Sequence, residues 1–510
     1  MSAPFLHRRT TMSTRARSIL LNRVAVAITV ICASCATGRS EKPAAVPHRP
    51  NIIVILADDL GSGDLSCLNP DARTSTPHLD GLASDGAVLT DAHSPSSVCS
   101  PTRYGILTGR YCWRTSLKSG VLWTDDPLLI EEGRPTIASE LRDAGYHTAF
   151  VGKWHLGLGS TKPTDWSGPL DAGPHTVGFV ESIGIPSSLD IPPYVWFRDG
   201  VGDPPPTGTI EGSAHRRSQG GGFWRKGAIG KGFVHQEVLP RSIDESIDII
   251  DRHAAERPDQ PLFLELCLSA PHTPWLPGDS WQGTSGAGHY GDFVNQIDCE
   301  LGRLFTALDA AGMAGDTLIV FTSDNGSHWP TEDIDRWKHA ANLDHRGQKA
   351  DIHEGGHRVP MLVRWPGVVE PGSTIDQTVC LTDLYATCLA AGGAASGETA
   401  ATDGGEDSVD LVPLLRDGDP SNLAARPGIV HHSLDGMFAI RVGDWKLVEG
   451  LGSGGFTAPK RIRPADGRPT VQLYNLAEDP TESRNIASER PEVVTRLQAI
   501  LEVIRDDERS

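Results

Sequence analysis

The chain has 510 residues, which is enough for one large domain and a smaller one. It carries 65 acidic residues against 46 basic ones, a formal net charge of −19, and no long run of basic residues. Because proteins that bind nucleic acid need a positively charged surface, this composition argues against nucleic acid as the main partner.

The first 36 residues are typical of a signal peptide. Arginines at positions 15, 17 and 23 precede a short apolar run at 24–31, and small residues follow at 33–36. The apolar run is too short to cross a membrane as a helix, so the sequence predicts export to the periplasm or the extracellular space. Ala33-Ser34-Cys35 loosely resembles a lipoprotein box, which leaves a lipid anchor open, and Met12 is an alternative start.

Residues 51–57 form a continuous apolar run rich in β-branched side chains, which predicts a central parallel strand buried on both faces. The run ends in Asp58 and Asp59. Two adjacent carboxylates at the end of a buried strand are costly unless a cation compensates them, and a hard divalent ion such as calcium prefers oxygen ligands. A solvated turn is the alternative at this point.

The most informative stretch is residues 97–110, Ser-Val-Cys-Ser-Pro-Thr-Arg followed by Tyr-Gly-Ile-Leu-Thr-Gly-Arg. Pro101 suits the first turn of a helix, and Gly109 suits its end. Cys99 then lies at the helix N-terminus, where free N–H groups and the helix dipole favour negative charge. Arg103 lies four residues further along the same face. The stretch predicts a nucleophile at an anion-binding position, and a chance Cys-Ser-Pro turn is the alternative.

Three later apolar runs, at 148–151, 262–268 and 317–322, also end in polar residues. The ligand crevice of an open parallel sheet lies outside the carboxyl ends of its strands. We therefore expect these side chains to meet Asp58 and Asp59 at one site. The candidates added by the three runs are Lys153, His155, His272, Asp324 and Asn325.

A last candidate cation is Lys349, which lies in a glycine-flanked loop before an apolar run at 361–364. Glycines let the backbone and the ammonium group approach an anion closely. His353 and His357 lie near the same glycines and are interpreted as bystanders.

The region from 163 to 232 is rich in glycine and proline and shows little periodicity. Long irregular segments in compact enzymes are commonly binding loops, so this one is expected to contact substrate. A solvated loop is the alternative. The side chains suited to an anionic sugar or aryl group are His215, Arg216, Arg217, Trp224, Arg225 and Lys226.

The remaining periodic segments predict helices and short antiparallel strands. The helices are expected at 79–84, 136–144, 242–255, 293–311, 381–391 and 491–506. The strands are expected at 438–441, 445–448 and 472–475. The cysteines show no metal-binding spacing, and both disulfides and free thiols stay open.

Cys-x-Pro-x-Arg followed by Leu-Thr-Gly-Arg, from Cys99 to Arg110, resembles the signature of the type I, arylsulfatase-like sulfatases of the alkaline phosphatase superfamily. The resemblance runs from about Pro50 to Pro366 and is weaker towards the C-terminus. It implies an α/β fold, with a large, mostly parallel mixed sheet between helices and a small C-terminal α+β subdomain with a short antiparallel sheet. The expected domains are a signal peptide (1–36), a linker (37–49), a catalytic domain (50–395) and a C-terminal subdomain (396–510).

The resemblance also implies a modified nucleophile. In this family a maturation enzyme oxidises the cysteine to formylglycine, whose hydrate attacks sulfur. One difficult step becomes two easier ones, because the second hydroxyl of the hydrate lets sulfate leave by elimination.

The other site residues receive roles by the same resemblance. Calcium ligands are implied at Asp58, Asp59, Asp324 and Asn325, together with the modified Cys99. Sulfate contacts are implied for Lys153 and Lys349, contact with the hydrated aldehyde for His155, protonation of the leaving group for His272, and orientation of residue 99 for Arg103.

The sequence as a whole therefore predicts a sulfuric ester hydrolase that releases sulfate from sulfated carbohydrates or aryl sulfates. One alternative is a phosphomonoester or phosphodiester hydrolase of the same superfamily. A second is an exported glycan-binding protein whose Cys99 is never modified.

Overall fold

The computed structural model describes residues 49–213, 223–394 and 404–507. The signal peptide and most of the linker, at residues 1–48, lie outside the described residues, so export and the lipid anchor stay predictions. Within the described ranges no helix is both long and apolar enough to span a membrane.

The helices, in chain order, are α1 (Pro77–Ser84), α2 (Cys99–Thr108), α3 (Ile137–Asp143), α4 (Val238–Glu256), α5 (Gly288–Ala310), α6 (Thr331–Trp337), α7 (Glu354–His357), α8 (Asp383–Ala391), α9 (Val412–Asp417) and α10 (Pro491–Asp506). The strands are β1 (Asn51–Asp58), β2 (Ala87–Leu89), β3 (Ala92–His93), β4 (His147–Lys153), β5 (Glu181–Ile185), β6 (Phe197–Arg198), β7 (Val201–Gly202), β8 (Gly208–Ile210), β9 (Gly227–Ile229), β10 (Leu262–Pro271), β11 (Thr317–Ser323), β12 (Met361–Arg364), β13 (Ser373–Ile375), β14 (Val379–Cys380), β15 (Ile429–His432), β16 (Phe438–Val442), β17 (Trp445–Val448) and β18 (Gln472–Asn475).

In the part of the chain that the structure describes, ten strands form one mixed sheet in the order β13-β2-β12-β11-β1-β10-β4-β5-β6-β7. The five central strands, from β11 to β5, pair in parallel, whereas β12 and the strands at the β6-β7 edge pair antiparallel. The predicted α/β fold with a mostly parallel sheet is therefore confirmed.

Helices cover both faces of this sheet, which is why its central strands are buried along their length and consist mostly of apolar residues. Ile52 and Val54 of β1 join one buried core with residues of α2, α3 and α8. Ile53 and Ile55 join a second core with residues of α1, α4 and α5. Each fully buried side chain of this size stabilises the fold by about 1.5–3 kcal/mol, so the two cores hold the strand ends in place.

Local sequence signals explain where the helices begin and end. Thr136 caps α3 by accepting a hydrogen bond from the backbone N–H of Ser139 at 3.0 Å. Gly109 ends α2 with a φ of 63°, a left-handed conformation that glycine adopts at little cost. α4 and α5 begin four and five residues before their predicted starts of 242 and 293.

A second, antiparallel sheet lies near the C-terminus. Within the described ranges four strands form it in the order β15-β16-β17-β18, and α10 packs against it. The short antiparallel sheet is confirmed, and β15 is an addition to the predicted strands. The proposed boundary at residue 395 stays a prediction, because residues 395–403 lie outside the described ranges.

The cysteines of the described part of the chain are free thiols: Cys67, Cys99, Cys112, Cys267, Cys299, Cys380 and Cys388. The alternative of free thiols, left open by the sequence, therefore holds for these seven residues.

Candidate active site

The carboxyl ends of the central parallel strands meet at one edge of the sheet. β1 ends at Asp58 and β4 ends at Lys153, while His272 and Asp324 directly follow β10 and β11. α2 begins at Cys99, and its thiol lies in the same buried cluster as Asp58 and His272. The strand ends thus bring the predicted side chains together, as expected from their positions at the ends of apolar runs in the sequence.

Cys99 lies between a cation and a carboxylate. Its Sγ is 3.6 Å from Nζ of Lys349 and 3.6 Å from Oδ1 of Asp58. The residue is only 2% exposed. Burial raises the pKa of the Cys99 thiol to about 12, although Lys153 and Lys349 oppose the shift. The unmodified side chain is therefore a neutral thiol at physiological pH, and a neutral thiol is a weak nucleophile.

Two lysines contact the adjacent carboxylates. Nζ of Lys153 lies 2.5 Å from Oδ2 of Asp58, and Nζ of Lys349 lies 2.6 Å from Oδ1 of Asp59. Although burial alone would raise it, the pKa of Asp58 is held well below its usual value by Lys153 and His272. Asp59 has a φ of 67°, a conformation in which a non-glycine residue is strained. Both carboxylates are thus fixed at the carboxyl ends of the parallel strands.

Arg103 joins three elements of the site. Its Nε and Nη2 donate to Oδ2 of Asp324 at 3.1 and 2.7 Å, and its Nη1 donates to the carbonyl oxygen of Lys153 at 2.8 Å. Burial, followed by the charge of Asp58, raises the pKa of Asp324 to about 7. The guanidinium therefore ties α2 to the ends of β4 and β11.

The two predicted histidines have different hydrogen bonds. Nε2 of His155 donates to the carbonyl oxygen of Leu122 at 2.9 Å, and its buried Nδ1 has no hydrogen-bond partner among the described residues. Burial, and then the charge of Lys153, lowers the pKa of His155 well below its usual value, so the ring is neutral. His272 donates from Nδ1 to its neighbour Thr273 at 2.6 Å, and its Nε2 lies 3.7 Å from Oδ2 of Asp59.

The cluster offers oxygen atoms of the kind that hard divalent cations bind. One potential ligand atom from each of Asp58, Asp59, Cys99 and His272 lies within 4.8 Å of the others. Nδ2 of Asn325 donates to Oδ1 of Asp59 at 2.7 Å, while its buried Oδ1 has no hydrogen-bond partner in the described ranges. A buried amide oxygen without a donor is costly, so a cation at this point would relieve it. The donor set therefore fits calcium.

A second buried charged group, which has no local signature in the sequence, is called here the Lys446 cluster: Asp91, His93, Glu354, His357, His431, Lys446 and Glu482. Nζ of Lys446 lies 2.9 Å from Oε1 of Glu354 and 2.8 Å from Oε1 of Glu482. His357, interpreted above as a bystander, accepts from the same ammonium through Nε2 at 2.9 Å. The cluster connects the segment after Lys349 to the C-terminal sheet, because Lys446 belongs to β17 of that sheet.

The predicted binding residues of the 163–232 region separate into three cases. His215, Arg216 and Arg217 lie outside the described residues. Trp224 stacks on His235, with ring centroids 5.0 Å apart, and Lys226 pairs with Glu211, so both contribute to the loop itself. Arg225 contacts the ring of Trp123 beside the site.

Comparison with known proteins agrees with this geometry. A family model described as Sulfatase matches residues 50–394. The chain is 32% identical over 492 residues to an N-acetylgalactosamine-6-O-sulfatase of Bacteroides thetaiotaomicron, covering 90% of this chain and 93% of that protein. It is also 32% identical over 482 residues to human arylsulfatase A, covering 89% and 88%.

A solved structure described under glycosaminoglycan metabolism by Bacteroides thetaiotaomicron has a TM-score of 0.78 and 30% identity, and it covers 90% of this chain and 100% of that chain. The family model and both relatives span most of the residues that carry the site. The chain therefore belongs to the sulfatase family, and it is a sulfuric ester hydrolase.

Proposed function

We propose that this enzyme releases inorganic sulfate from sulfated carbohydrates, with residue 99 matured to formylglycine and a calcium ion beside it. The observation that carries the proposal is the position of Cys99 at the N-terminus of α2, with an ammonium group on one side and a carboxylate on the other. A helix N-terminus beside an ammonium group favours a bound anion. A cysteine that only packs in a core does not need this position.

Maturation of residue 99 would give the site a nucleophile that the thiol does not provide. A hydrated aldehyde at this position offers one hydroxyl to attack sulfur and a second whose deprotonation releases sulfate. Because Cys99 is only 2% exposed, a maturation enzyme has to reach it before the chain has folded.

Asp58, Asp59, Asp324 and Asn325 would hold the calcium ion together with residue 99. The buried Oδ1 of Asn325 and the grouped carboxylates support this assignment. When bound, calcium supplies positive charge next to the sulfate oxygens.

Lys153 and Lys349 bind and orient the sulfate group. Both ammonium groups lie within the cluster that surrounds Cys99, and both are held by aspartates rather than exposed to water. Their charges offset the negative charge that the sulfate oxygens gain in the transition state, and burial strengthens the effect.

The two histidines handle protons on opposite sides of the reaction. His272 donates from Nδ1 to a carbonyl, so its Nε2 is the atom that protonates the departing alcohol. His155 donates from Nε2, which leaves the lone pair of Nδ1 free to accept a proton from the second hydroxyl of residue 99. The orientation of each ring thus agrees with one acid and one base.

The substrate class follows from the relatives. The Bacteroides thetaiotaomicron relative is named for N-acetylgalactosamine 6-O-sulfate, and it aligns over most of both chains. We therefore propose a 6-O-sulfated N-acetylhexosamine as the sulfated unit.

Sulfate release from a panel of esters tests this function. We expect N-acetylgalactosamine 6-sulfate to be hydrolysed with the highest kcat/KM, and 4-nitrophenyl phosphate at least about 100-fold more slowly than 4-nitrophenyl sulfate. A preference for the phosphate ester would instead support the phosphohydrolase alternative.

A matched pair of cysteine variants tests the nucleophile. Cys99→Ala should lower sulfate release by about 10⁴-fold or more, since removing a nucleophile disables the whole catalytic unit. Cys112 is also buried, and burial likewise raises the pKa of its thiol to about 12, but it lies outside the site. Cys112→Ala should keep normal turnover, and near-normal release by Cys99→Ala would refute the assignment.

A further inference from the structure

Trp123 follows a residue that contacts the candidate active site. The residue before it, Leu122, donates its N–H to Oγ of Ser100 at 3.2 Å and accepts a hydrogen bond from His155 at 2.9 Å. Ser100 directly follows Cys99, so Leu122 is held by the nucleophile helix and by the proposed base. Consecutive Cα atoms are about 3.8 Å apart, which fixes the start of the Trp123 side chain next to the pocket. This side chain is 52% exposed.

Arg225 lies over this indole. Its guanidinium carbon is 5.5 Å from the ring centroid of Trp123 and 5.3 Å from that of Phe223. Nη1 donates to Oδ2 of Asp190 at 2.5 Å and to the Asp190 carbonyl at 2.9 Å, while 42% of the side chain stays exposed. The guanidinium is therefore held in place while part of it faces solvent.

The loop that carries Asp190 is anchored at the same histidine. It begins after β5, where the carbonyl oxygen of Pro186 accepts a hydrogen bond from the backbone N–H of His155 at 3.0 Å. Oγ1 of Thr124 lies 3.3 Å from Oγ of Ser187, which links this loop to the one that carries Trp123. Both loops thus start at the pocket and meet again where Arg225 covers the indole.

We propose that Trp123, Phe223 and Arg225 form a subsite, the Trp123 platform, for the sugar that is linked to the sulfated unit. The C–H face of that sugar stacks on Trp123, and its anionic substituent, a carboxylate or a sulfate, pairs with Arg225. The inference rests on the proposed action on sulfated carbohydrates and adds the chemistry of the neighbouring sugar.

The chemistry of the platform suits this occupant. An indole provides a large, rigid apolar face at low cost in conformational entropy, and an arginine pairs with planar or tetrahedral oxyanions. Because Leu122 contacts both Ser100 and His155, a ring on Trp123 lies close enough to the proposed site to belong to the sugar linked to the sulfated unit.

Kinetics on matched substrates test the platform. The substrates are N-acetylgalactosamine 6-sulfate alone and the same unit linked to glucose, to glucuronic acid or to a sulfated glucose. Trp123→Ala should lower kcat/KM about 10- to 100-fold on the linked substrates, mainly through KM, and change the monosaccharide less than about 2-fold. Trp123→Phe should recover most of the loss, since a phenyl ring still stacks.

Arginine variants test the charge. Arg225→Ala should lower kcat/KM about 10-fold on the glucuronic acid or the sulfated glucose substrate, and the one affected identifies the anion. Its effect on the neutral glucose substrate should be smaller. Arg505 is a matched control, because it also covers an aromatic ring, Phe438, and pairs with a carboxylate, Glu449. Arg505→Ala should behave as the unaltered enzyme.

Binding separates this inference from the proposed function. Calorimetric titration of Cys99→Ala with the glucuronic acid substrate needs no turnover, and adding Trp123→Ala should weaken the Kd about 10-fold. If the matured enzyme releases no sulfate but this loss appears, the proposed function fails and the platform stands. Equal losses on monosaccharide and linked substrates, or no loss of binding, would overturn the platform.

Discussion

Lys153 and Lys446 are both fully buried, yet they use their charges differently. The ammonium of Lys446 lies 2.8–2.9 Å from three acceptor atoms, on Glu354, Glu482 and His357. It donates one hydrogen bond to Glu354 and one to His357, and it forms an ion pair with Glu482, so three protein groups surround its charge. In the part of the chain that the structure describes, Nζ of Lys153 has a single acceptor, Oδ2 of Asp58.

The difference distinguishes a structural lysine from one prepared for a ligand. Lys446 is satisfied by the protein alone, and although burial alone would raise it, the pKa of Glu354 is held well below its usual value by this lysine. Lys153 keeps donors without an acceptor in the described part of the chain, and these are available to the sulfate that we propose it binds. A buried charge therefore indicates function when its hydrogen-bonding capacity exceeds what the fold provides.

Among the tests of this comparison, the largest expected effect comes from removing Lys153, the lysine that we propose to bind sulfate. Lys153→Met should lower kcat/KM for every sulfate ester by about 10³-fold, because sulfate loses a buried cation in the transition state. Lys162 is a matched control, since its Nζ lies 2.5 Å from a carboxylate oxygen of Asp126 but on the surface. Lys162→Met should keep full activity. Equal losses in the two variants would break the distinction.

Removal of the proposed calcium ion should have the next largest effect. Dialysis against a chelator should lower sulfate release by about 100-fold, and added calcium should restore it, because the grouped carboxylates then lack their cation. Tm should also fall, since an ion that binds only the folded state stabilises it. Unchanged activity and Tm, with no metal found by elemental analysis, would contradict the assigned site.

The satisfied lysine should matter for stability. Lys446→Met should lower the free energy of unfolding by about 3–5 kcal/mol, because it removes the cation that pairs most closely with two buried glutamates. Denaturant unfolding measures this loss. Adding Glu354→Gln and Glu482→Gln to the same variant removes the stranded charges and should recover most of it. A stable Lys446→Met enzyme with reduced kcat would assign this lysine to catalysis instead.

The smallest expected effect concerns Glu265, a buried acid of β10. Its environment resembles neither that of Lys446 nor that of Lys153. Burial raises the pKa of Glu265 to about 7, and its Oε2 has no hydrogen-bond partner in the described ranges. Because the pKa is lower in the unfolded chain, the folded state binds more protons, and stability falls as pH rises from about 4.5 to about 7.

Glu265→Gln should make this slope shallower and raise the free energy of unfolding at pH 7 by about 2–3 kcal/mol. Unfolding at pH 4.5 and pH 7 measures the difference between the two proteins. Glu478, which is exposed, provides the control, and Glu478→Gln should keep the slope of the unaltered enzyme. If the change in stability between pH 4.5 and pH 7 is the same in Glu265→Gln as in the unaltered enzyme, the carboxyl of Glu265 does not take up a proton on folding.

The central strands could be predicted because strands that are buried on both faces appear in the sequence as nearly continuous apolar runs. The apolar run at 51–57 is an example, and it became β1 with a single added residue. β15 carried no such signal, since two of its four residues are histidines. β6 and β7 have two residues each, which is too short for any periodicity to show. Their positions depend on tertiary contacts rather than on local pattern.

The site could be predicted to the extent that its residues end strands or begin a helix. Lys153 and Asp324 were found in this way, because parallel strands end at the same edge. The contact of Lys446 with Glu354 spans 92 positions and leaves no local trace in the sequence. Trp123 is an isolated aromatic residue in a loop, and only its contact with Arg225 distinguishes it.

The most direct test of the account is the mass of the tryptic peptide 74–103, which contains Cys99, from exported protein that releases sulfate. We predict that this peptide carries formylglycine at position 99, in a fraction that rises with specific activity. A peptide with intact cysteine from fully active enzyme would contradict the account.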